Sequence, residues 1–368
     1  LPPDFEIAGR RIGESQPPYV IAEISANHNG RFERAVEILE ACAAAGADAV
    51  KLQTYRPDTI TIDHDGPGFV IDGGLWHGRK LYDLYGEAFT PWEWHEPLFR
   101  RGRELGIAVF SSPFDPTAVA FLEGLDAPAY KVASFEIVDL PLIRRIAGTG
   151  KPMIISTGIA DETEIEAAVA AARAGGCQSI CLLHCVSGYP APAEDANLAT
   201  IGDMRRRFGV QIGLSDHTTG ISVPVAAVAM GATVIEKHVT MRRSDGGPDS
   251  AFSLEPGEFR DMAEGVRTAW RARGRVDYSR KPSEIGNAQF RRSLYVVEDV
   301  PEGAVLTERN VRSIRPGYGL APRHLDDVLG RPARRFLRRG EPLRADMVSG
   351  LSVPEGLHRK GCGDDGAA

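Results

Sequence analysis

The fold of this chain is constrained above all by a rhythm. Eight short apolar runs rich in β-branched residues recur over its first two thirds: YVIAEIS (19–25), ADAVKLQT (47–54), IAVFSSP (107–113), AYKVAS (129–134), PMIIST (152–157), SICLLHC (179–185), VQIGLSD (210–216) and TVIEKHV (233–239). Each has the length and composition of a strand. Between them lie amphipathic helical stretches that close on glycine, such as ERAVEILEACAAAG and ETEIEAAVAAARAG. Eight β/α units in series predict an α/β fold, a (β/α)8 barrel of the TIM type, over residues 1–280. An open doubly wound sheet suits fewer strands, and no G-x-G-x-x-G follows the first run.

One insertion breaks the rhythm between the second and third runs. Its second half carries a helix start at Thr90-Pro91-Trp92-Glu93, read as a capping box with proline at the first helical position. The part before it reads as a long loop at the catalytic face, the usual place for a lid or a specificity element. Trp92 and Trp94 are expected to pack; Trp76 suits packing and substrate contact equally. After Trp270 the pattern changes. A polar linker (281–290) precedes a compact unit with short strands and glycine turns (291–350), expected to be a small β-rich domain, and a tail (351–368) expected to be disordered.

Polar residues gather at the carboxyl ends of the runs, where barrels of this kind keep their chemistry. Glu23 and Ser25 end the first run, Lys51 and Gln53 the second, Ser111 and Ser112 the third. Lys131, Ser134 and then Glu136 follow on the fourth, and Ser156 and Thr157 on the fifth. Ser215, Asp216 and His217 end the seventh, and Glu236, Lys237 and His238 the eighth. Residues two apart share one face of a strand. His217 and His238 therefore converge from adjacent strands, and barrel closure brings Glu23 near them. Two imidazoles with oxygen ligands and open positions describe a divalent site of Mn2+, Mg2+ or Co2+ type, not a closed structural zinc. Cys177, Cys181 and Cys185 read as core. Lysine is scarce in this arginine-rich chain, so the lysines in AVKLQT, AYKVAS and VIEKHV stand out as ammonium groups with a task. Lys51 and Lys131, with Ser111, Ser134, Ser156 and Ser215, form a ring of donors suited to a small phosphorylated anion.

Composition excludes several classes. The 368 residues carry a net charge of −7, with 43% hydrophobic and 25% charged residues, which points to neither nucleic acid nor a membrane. No run is long enough to span a bilayer. The start, LPPDFEIAGRRIG, has no apolar core flanked by basic residues, so no signal peptide is expected. Five cysteines, an odd number in a long chain, point to a reducing cytoplasm.

The segments IAEISANHNG, VKLQTY, FSSPFD, YKVASFEI, STGIA, LLHCVSGYPAP, GLSDHTTG and GATVIEKHVT together resemble the sialic acid synthases, and IRPGYGL resembles their antifreeze-like (SAF, β-clip) domain. The resemblance covers roughly residues 19–348. It implies condensation of phosphoenolpyruvate with an N-acetylated amino sugar. Within the family, GGLWHGRKLYDLYGEAFTPWEWH and RSDGGPDSAFSLEP look like the pseudaminic acid branch, which implies 2,4-diacetamido-2,4,6-trideoxy-L-altrose as the acceptor. The legionaminic and N-acetylneuraminate branches are the alternatives, and a non-catalytic carbohydrate-binding protein is a remote one. The resemblance further implies that His217 and His238 hold the metal, while Lys51, Ser111, Lys131, Ser134, Ser156, Ser187 and Ser215 cradle phosphoenolpyruvate. Gln53, Tyr189, Glu236 and Asp249 would surround the sugar, and Glu23 and Glu136 would do the catalytic work. Arg315 would reach the acetamido group of a sugar in the other subunit of a domain-swapped homodimer.

Overall fold

The computed structural model describes residues 2–74 and 76–352. It divides into two compact units, Leu1–Arg275 and Val276–Ala368. The first is a closed barrel of eight parallel strands in chain order, the eighth pairing with the first. The strands are Tyr19–Glu23, Ala49–Thr54, Ala108–Pro113, Tyr130–Val132, Met153–Ser156, Ile180–Cys185, Gln211–Asp216 and Val234–His238, called one to eight below. All eight apolar runs form barrel strands.

Alternation along each strand builds two cores. Outward residues such as Val20, Val50, Leu52, Val132, Leu182 and Ile235 pack under the helices. Inward residues such as Tyr19, Ile21, Phe110, Ile154, Leu183 and Val234 fill the barrel. An N-terminal hairpin, Phe5–Ile7 against Arg10–Ile12, adds Phe5, Ile7 and Ile12 to that inner cluster, next to the amino ends of the strands. Gly213 is an inward position where the walls nearly touch: a Cβ there would lie 2.4 Å from the Val234 carbonyl and 2.6 Å from Leu183. The helices start on local signals. The Asp115 side chain accepts from the Thr117 N–H ahead of Pro116–Gly124, and Asp161 and Glu164 form a reciprocal capping box at the start of Glu162–Ala174.

The insertion departs from expectation in two ways. It is not one loop: it holds a short helix at Pro57–Ile60, a bridge between Val70 and Lys80, and an eight-residue helix, Leu81–Ala88, anchored by buried Leu84. The TPWE segment makes no capping box either. A 3-10 turn at Trp92–Trp94 leads into the helix His95–Leu105, and Thr90 is buried. Trp92 stacks on Phe121 with centroids 4.6 Å apart, and Trp94 meets His28 and Phe32 edge-on, so both tryptophans pack. The cysteines Cys42, Cys177, Cys181 and Cys185 are free and buried.

In the second unit, Ser293–Val296 pairs antiparallel with Val311–Ile314, and isolated bridges extend the pairing. Its separate core holds Leu294, Val296, Val311, Leu320, Val328, Leu337, Leu343 and Val348. A 3-10 run, Pro282–Phe290, occupies the stretch expected to be a linker. The expected disordered tail from 353 onward lies outside the described residues. Among the described residues no helix is long and apolar enough to cross a membrane.

Candidate active site

A cavity of about 540 Å3 opens at the carboxyl ends of the barrel strands. Glu23, Lys51, Gln53, Lys131, Ser134, Glu136, Ser156, Ser187, Tyr189, Ser215, His217, Glu236, His238 and Asp249 all line it. Strand alternation explains the gathering: Glu23, Lys51, Gln53, Lys131, Ser156, Ser215, Glu236 and His238 occupy inward positions on their strands, and segments after the strands add the rest.

Lys51 sits between two carboxylates. Its Nζ is 3.0 Å from Glu23 Oε2 and 3.4 Å from Glu236 Oε1. Lys131 Nζ is 3.9 Å from the same Glu236 oxygen, to which the Ser215 hydroxyl donates at 3.1 Å. Two carboxylates thus share this ammonium, and the surroundings separate them. Burial raises Glu23 to about 7, although Lys51 opposes it. Burial would raise Glu236 too, but Lys131 and Lys51 hold it below its ordinary range. For Lys51, burial alone would lower the ammonium; the flanking carboxylates outweigh it and raise it. The Gln53 amide donates to Glu23 Oε1 at 2.9 Å and to Ser25 Oγ at 3.0 Å, and Ser25 donates to Asp249.

Several buried polar atoms facing this space have no partner: Ser156 Oγ, Ser187 Oγ, Glu136 Oε2 and His238 Nδ1. Leaving such groups unpaired is costly, which is the signature of a site built to receive a polar ligand. Gly158 permits part of it. A Cβ there would fall 2.1 Å from Ser187 Oγ and 2.7 Å from Ser134 Oγ, filling the spot those hydroxyls border.

The imidazoles of His217 and His238 lie with centroids 5.4 Å apart. His217 Nδ1 bonds the Val186 carbonyl at 2.9 Å, which directs its other nitrogen's lone pair elsewhere. Burial holds His238 well below its usual range, so it stays neutral, as a metal ligand must. Tyr189 and Phe252 wall the pair on one side. Among the described residues no group of three or more His, Cys, Asp or Glu side chains gathers with metal-binding geometry. The two imidazoles are the nitrogen donors that the cavity offers, a donor type that suits a divalent ion. Barrel closure sets Glu23 beside His238 as its register partner, and the Glu23 carboxylate bonds Lys51 and Gln53.

Ser111 does not belong to the cavity. Strand three presents Ala108, Phe110 and Ser112 inward, so Ser111 faces the helices and shares a 2.6 Å hydrogen bond with Thr54, which contacts His95 at 2.7 Å. The inward neighbour Ser112 accepts from Lys51 Nζ at 3.4 Å. Arg315 belongs to the second unit, just past the strand Val311–Ile314. Ser25 and Ser112 stand among the strand-end polar residues of the sequence but carry no assigned role there, and Gly158 is not singled out. Counting alternation from Phe110 would have found Ser112. Ser25, with φ of 46° in the left-handed region, carries no sequence mark of its strain.

The insertion adds apolar lining to the same cavity: Ile60, Ile71, Leu81, Leu84 and Tyr85. Trp76 joins it, its indole donating to the Pro248 carbonyl at 3.2 Å and its ring 5.9 Å from Tyr189.

Comparison with known proteins agrees with this geometry. The pattern described as the NeuB family matches residues 38–278, and that of the SAF domain matches 291–349. The chain is 45% identical over 334 residues to a pseudaminic acid synthase of Helicobacter pylori, covering 90% of this chain and 98% of that one. It is 34% identical to an N,N'-diacetyllegionaminic acid synthase of Legionella pneumophila, covering 86% and 91%. The N-acetylneuraminic acid synthetase of Leptospira borgpetersenii, solved with citrate, superposes with a TM-score of 0.70 at 29% identity, covering 78% of this chain and 95% of that one. A closed barrel with lysines, serines and two histidines at one mouth, followed by a SAF domain, places this chain in the NeuB family.

Proposed function

We propose that the chain is a pseudaminic acid synthase: it condenses phosphoenolpyruvate with 2,4-diacetamido-2,4,6-trideoxy-L-altrose and water, giving pseudaminic acid and phosphate. The observation that carries the reading is the mixed lining of the cavity. Its barrel residues offer ammonium groups and unpartnered hydroxyls for a small polyanion, and its insertion residues offer apolar surface for a sugar poor in hydroxyls. The likeness to the Helicobacter pylori enzyme supports this acceptor over the legionaminic one.

In this mechanism Lys51 and Lys131 balance the phosphate and carboxylate charges, and Ser134, Ser156, Ser187 and Ser215 orient the phosphoenolpyruvate. Gln53, Tyr189, Glu236 and Asp249 surround the open-chain sugar. C3 of phosphoenolpyruvate forms a bond to the aldehyde carbon, whose oxygen takes up a proton. The oxocarbenium left at C2 gains water, which gives up a proton, and phosphate leaves by C–O cleavage. Holding both substrates in one pocket supplies much of the rate. Glu23 is assigned the proton transfer at the aldehyde or the water. Glu136, on the 3-10 turn after strand four, is assigned stabilisation of the cation or deprotonation of the water. His217 and His238 would hold a divalent ion, Mn2+, Mg2+ or Co2+, which supplies Lewis acidity when bound. Arg315 is assigned to the acetamido group of a sugar bound in the partner copy of a domain-swapped homodimer. The free cysteines suit a cytoplasmic reaction.

Phosphate release, followed with phosphoenolpyruvate and each of three acceptors, tests the reading. Turnover is expected with the trideoxy-L-altrose. Turnover confined to N-acetylmannosamine or to the legionaminic precursor overturns the acceptor assignment, and none with any acceptor overturns the activity.

A further inference from the structure

Lys237 is the one strand-end lysine of the three that has no place in the cavity. It lies between Glu236 and His238, and its side chain leaves the opposite face of strand eight, where it is wholly buried. There its ammonium donates to the Asp216 carboxylate and to the Thr218 carbonyl. Asp216 lies between Ser215 and His217 on strand seven, and it accepts from the Thr218 N–H at 3.2 Å and the Thr218 hydroxyl at 3.1 Å.

The position of this pair in the ladder gives it meaning. Strands seven and eight pair through Ile235–Leu214 and Glu236–Ser215 and stop at Lys237–Asp216. His217 and His238 are each one residue further on. Beyond the ladder, their backbones turn to other neighbours: the Ala191 N–H bonds the His217 carbonyl, and the Leu254 N–H bonds the His238 carbonyl. What ties the two ends to each other is the side-chain link from Lys237 to Asp216 and Thr218. A buried ion pair is a poor source of stability, because apolar side chains of like volume serve as well or better. What it adds is a directional link of fixed length, where packing alone would let the two ends slide.

We infer that the Asp216–Lys237 pair is a positioning device, stapling the strand ends so that the His217 and His238 imidazoles keep one separation, and thereby setting the affinity for the divalent ion. The inference rests on the reading of these histidines as ligands. Strand alternation makes the arrangement compact, with both imidazoles on the inward face and the staple one residue earlier on the outward face.

The test uses the full chain, stripped of metal with a chelator and titrated with Mn2+ while free Mn2+ is read by electron paramagnetic resonance. The double variant Asp216→Leu/Lys237→Met removes both charges together, and takes their bonds from the Thr218 N–H, hydroxyl and carbonyl. It is expected to bind Mn2+ about tenfold or more weakly, while phosphoenolpyruvate affinity by intrinsic fluorescence stays near wild type and the metal-free protein still folds, with a lower thermal midpoint. A folded double variant that binds Mn2+ as the wild type does overturns the inference. Should the double variant not fold, Asp216→Asn decides: it keeps the shape without the charge, weaker Mn2+ binding is expected, and unchanged affinity overturns the inference. A wild-type chain that takes up no Mn2+ removes the ligand reading itself, and the inference with it.

Discussion

Ser111 and Ser112 are neighbours in sequence and occupy opposite sides of the barrel wall. Ser112 meets the Lys51 ammonium inside the barrel, and Ser111 joins Thr54 and His95 under the helices. The two are chemically identical, and strand parity alone assigns their roles.

Substitution separates them. Ser112→Ala should raise the KM for phosphoenolpyruvate several-fold with little change in thermal midpoint. Ser111→Ala should leave KM alone and cost about 1–3 kcal/mol, since it breaks a buried hydrogen-bond chain. Steady-state kinetics and thermal melts on both variants check the assignment.

Glu136 carries a pH signature. Burial raises its carboxyl from 4.5 to about 7, against the pull of its own backbone N–H and of Lys131. A carboxyl raised in the folded state binds its proton more tightly there than in the unfolded chain. Its ionisation therefore costs stability progressively as pH climbs from 4.5 to about 7. Glu136→Gln escapes this cost: it should match wild type below pH 4.5 and exceed it above pH 7 by at most about 3 kcal/mol. Because the proposed role needs the carboxylate, wild-type kcat/KM should rise through about pH 7, and the variant should lose at least about a hundredfold in kcat.

His217→Ala and His238→Ala should each abolish tight Mn2+ uptake and metal-dependent turnover while the circular dichroism stays that of a folded barrel. The fold should tolerate the His238 change, because that residue's Nδ1 is already buried without a partner. Full activity after exhaustive chelation would contradict the metal role.

Leu81 tests the apolar lining. Leu81→Asn puts an amide where the proposed acceptor presents no hydroxyl. It should lower kcat/KM for the trideoxy sugar on the order of 10–100-fold, with the KM for phosphoenolpyruvate unchanged. A matching loss in both substrates would place Leu81 in folding rather than recognition.

Arg315→Ala should raise the KM for the acceptor sugar and spare that for phosphoenolpyruvate. Mixing Arg315→Ala chains with chains carrying His217→Ala should restore activity in part if the sites are shared between subunits. Unchanged sugar saturation would remove Arg315 from the site.

The barrel was legible because its signal is repetitive: eight apolar runs, each bounded and each followed by a helix, leave few alternatives. The mouth was legible for a related reason, since Lys51, Lys131, Glu236 and His238 interrupt runs that are otherwise apolar. Parity within a run is a finer signal. In AVFSSP it fails by inspection, because the two serines are adjacent and identical. Ser25 and Gly158 were hidden differently. Their contributions come from backbone conformation and close approach, which residue type does not encode. The helix Leu81–Ala88 sits in a segment crowded with glycine and proline, where its short periodic stretch was lost among turn signals. The TPWE segment carried a capping pattern, yet Thr90 was drawn into the interior and the helix began three residues beyond Trp92.

The insertion leaves strand two and returns at strand three, and those strands are zipped along six register pairs, from Ala49–Ala108 to Thr54–Pro113. A segment spliced in at such a seam can lengthen, shorten or change its side chains without unzipping anything. The insertion's share of the cavity is thus free to diverge while the rest is pinned to eight strand tips that must stay in register. Exchanging this one splice between relatives is the shortest route to a catalyst that keeps its donor and takes a new acceptor.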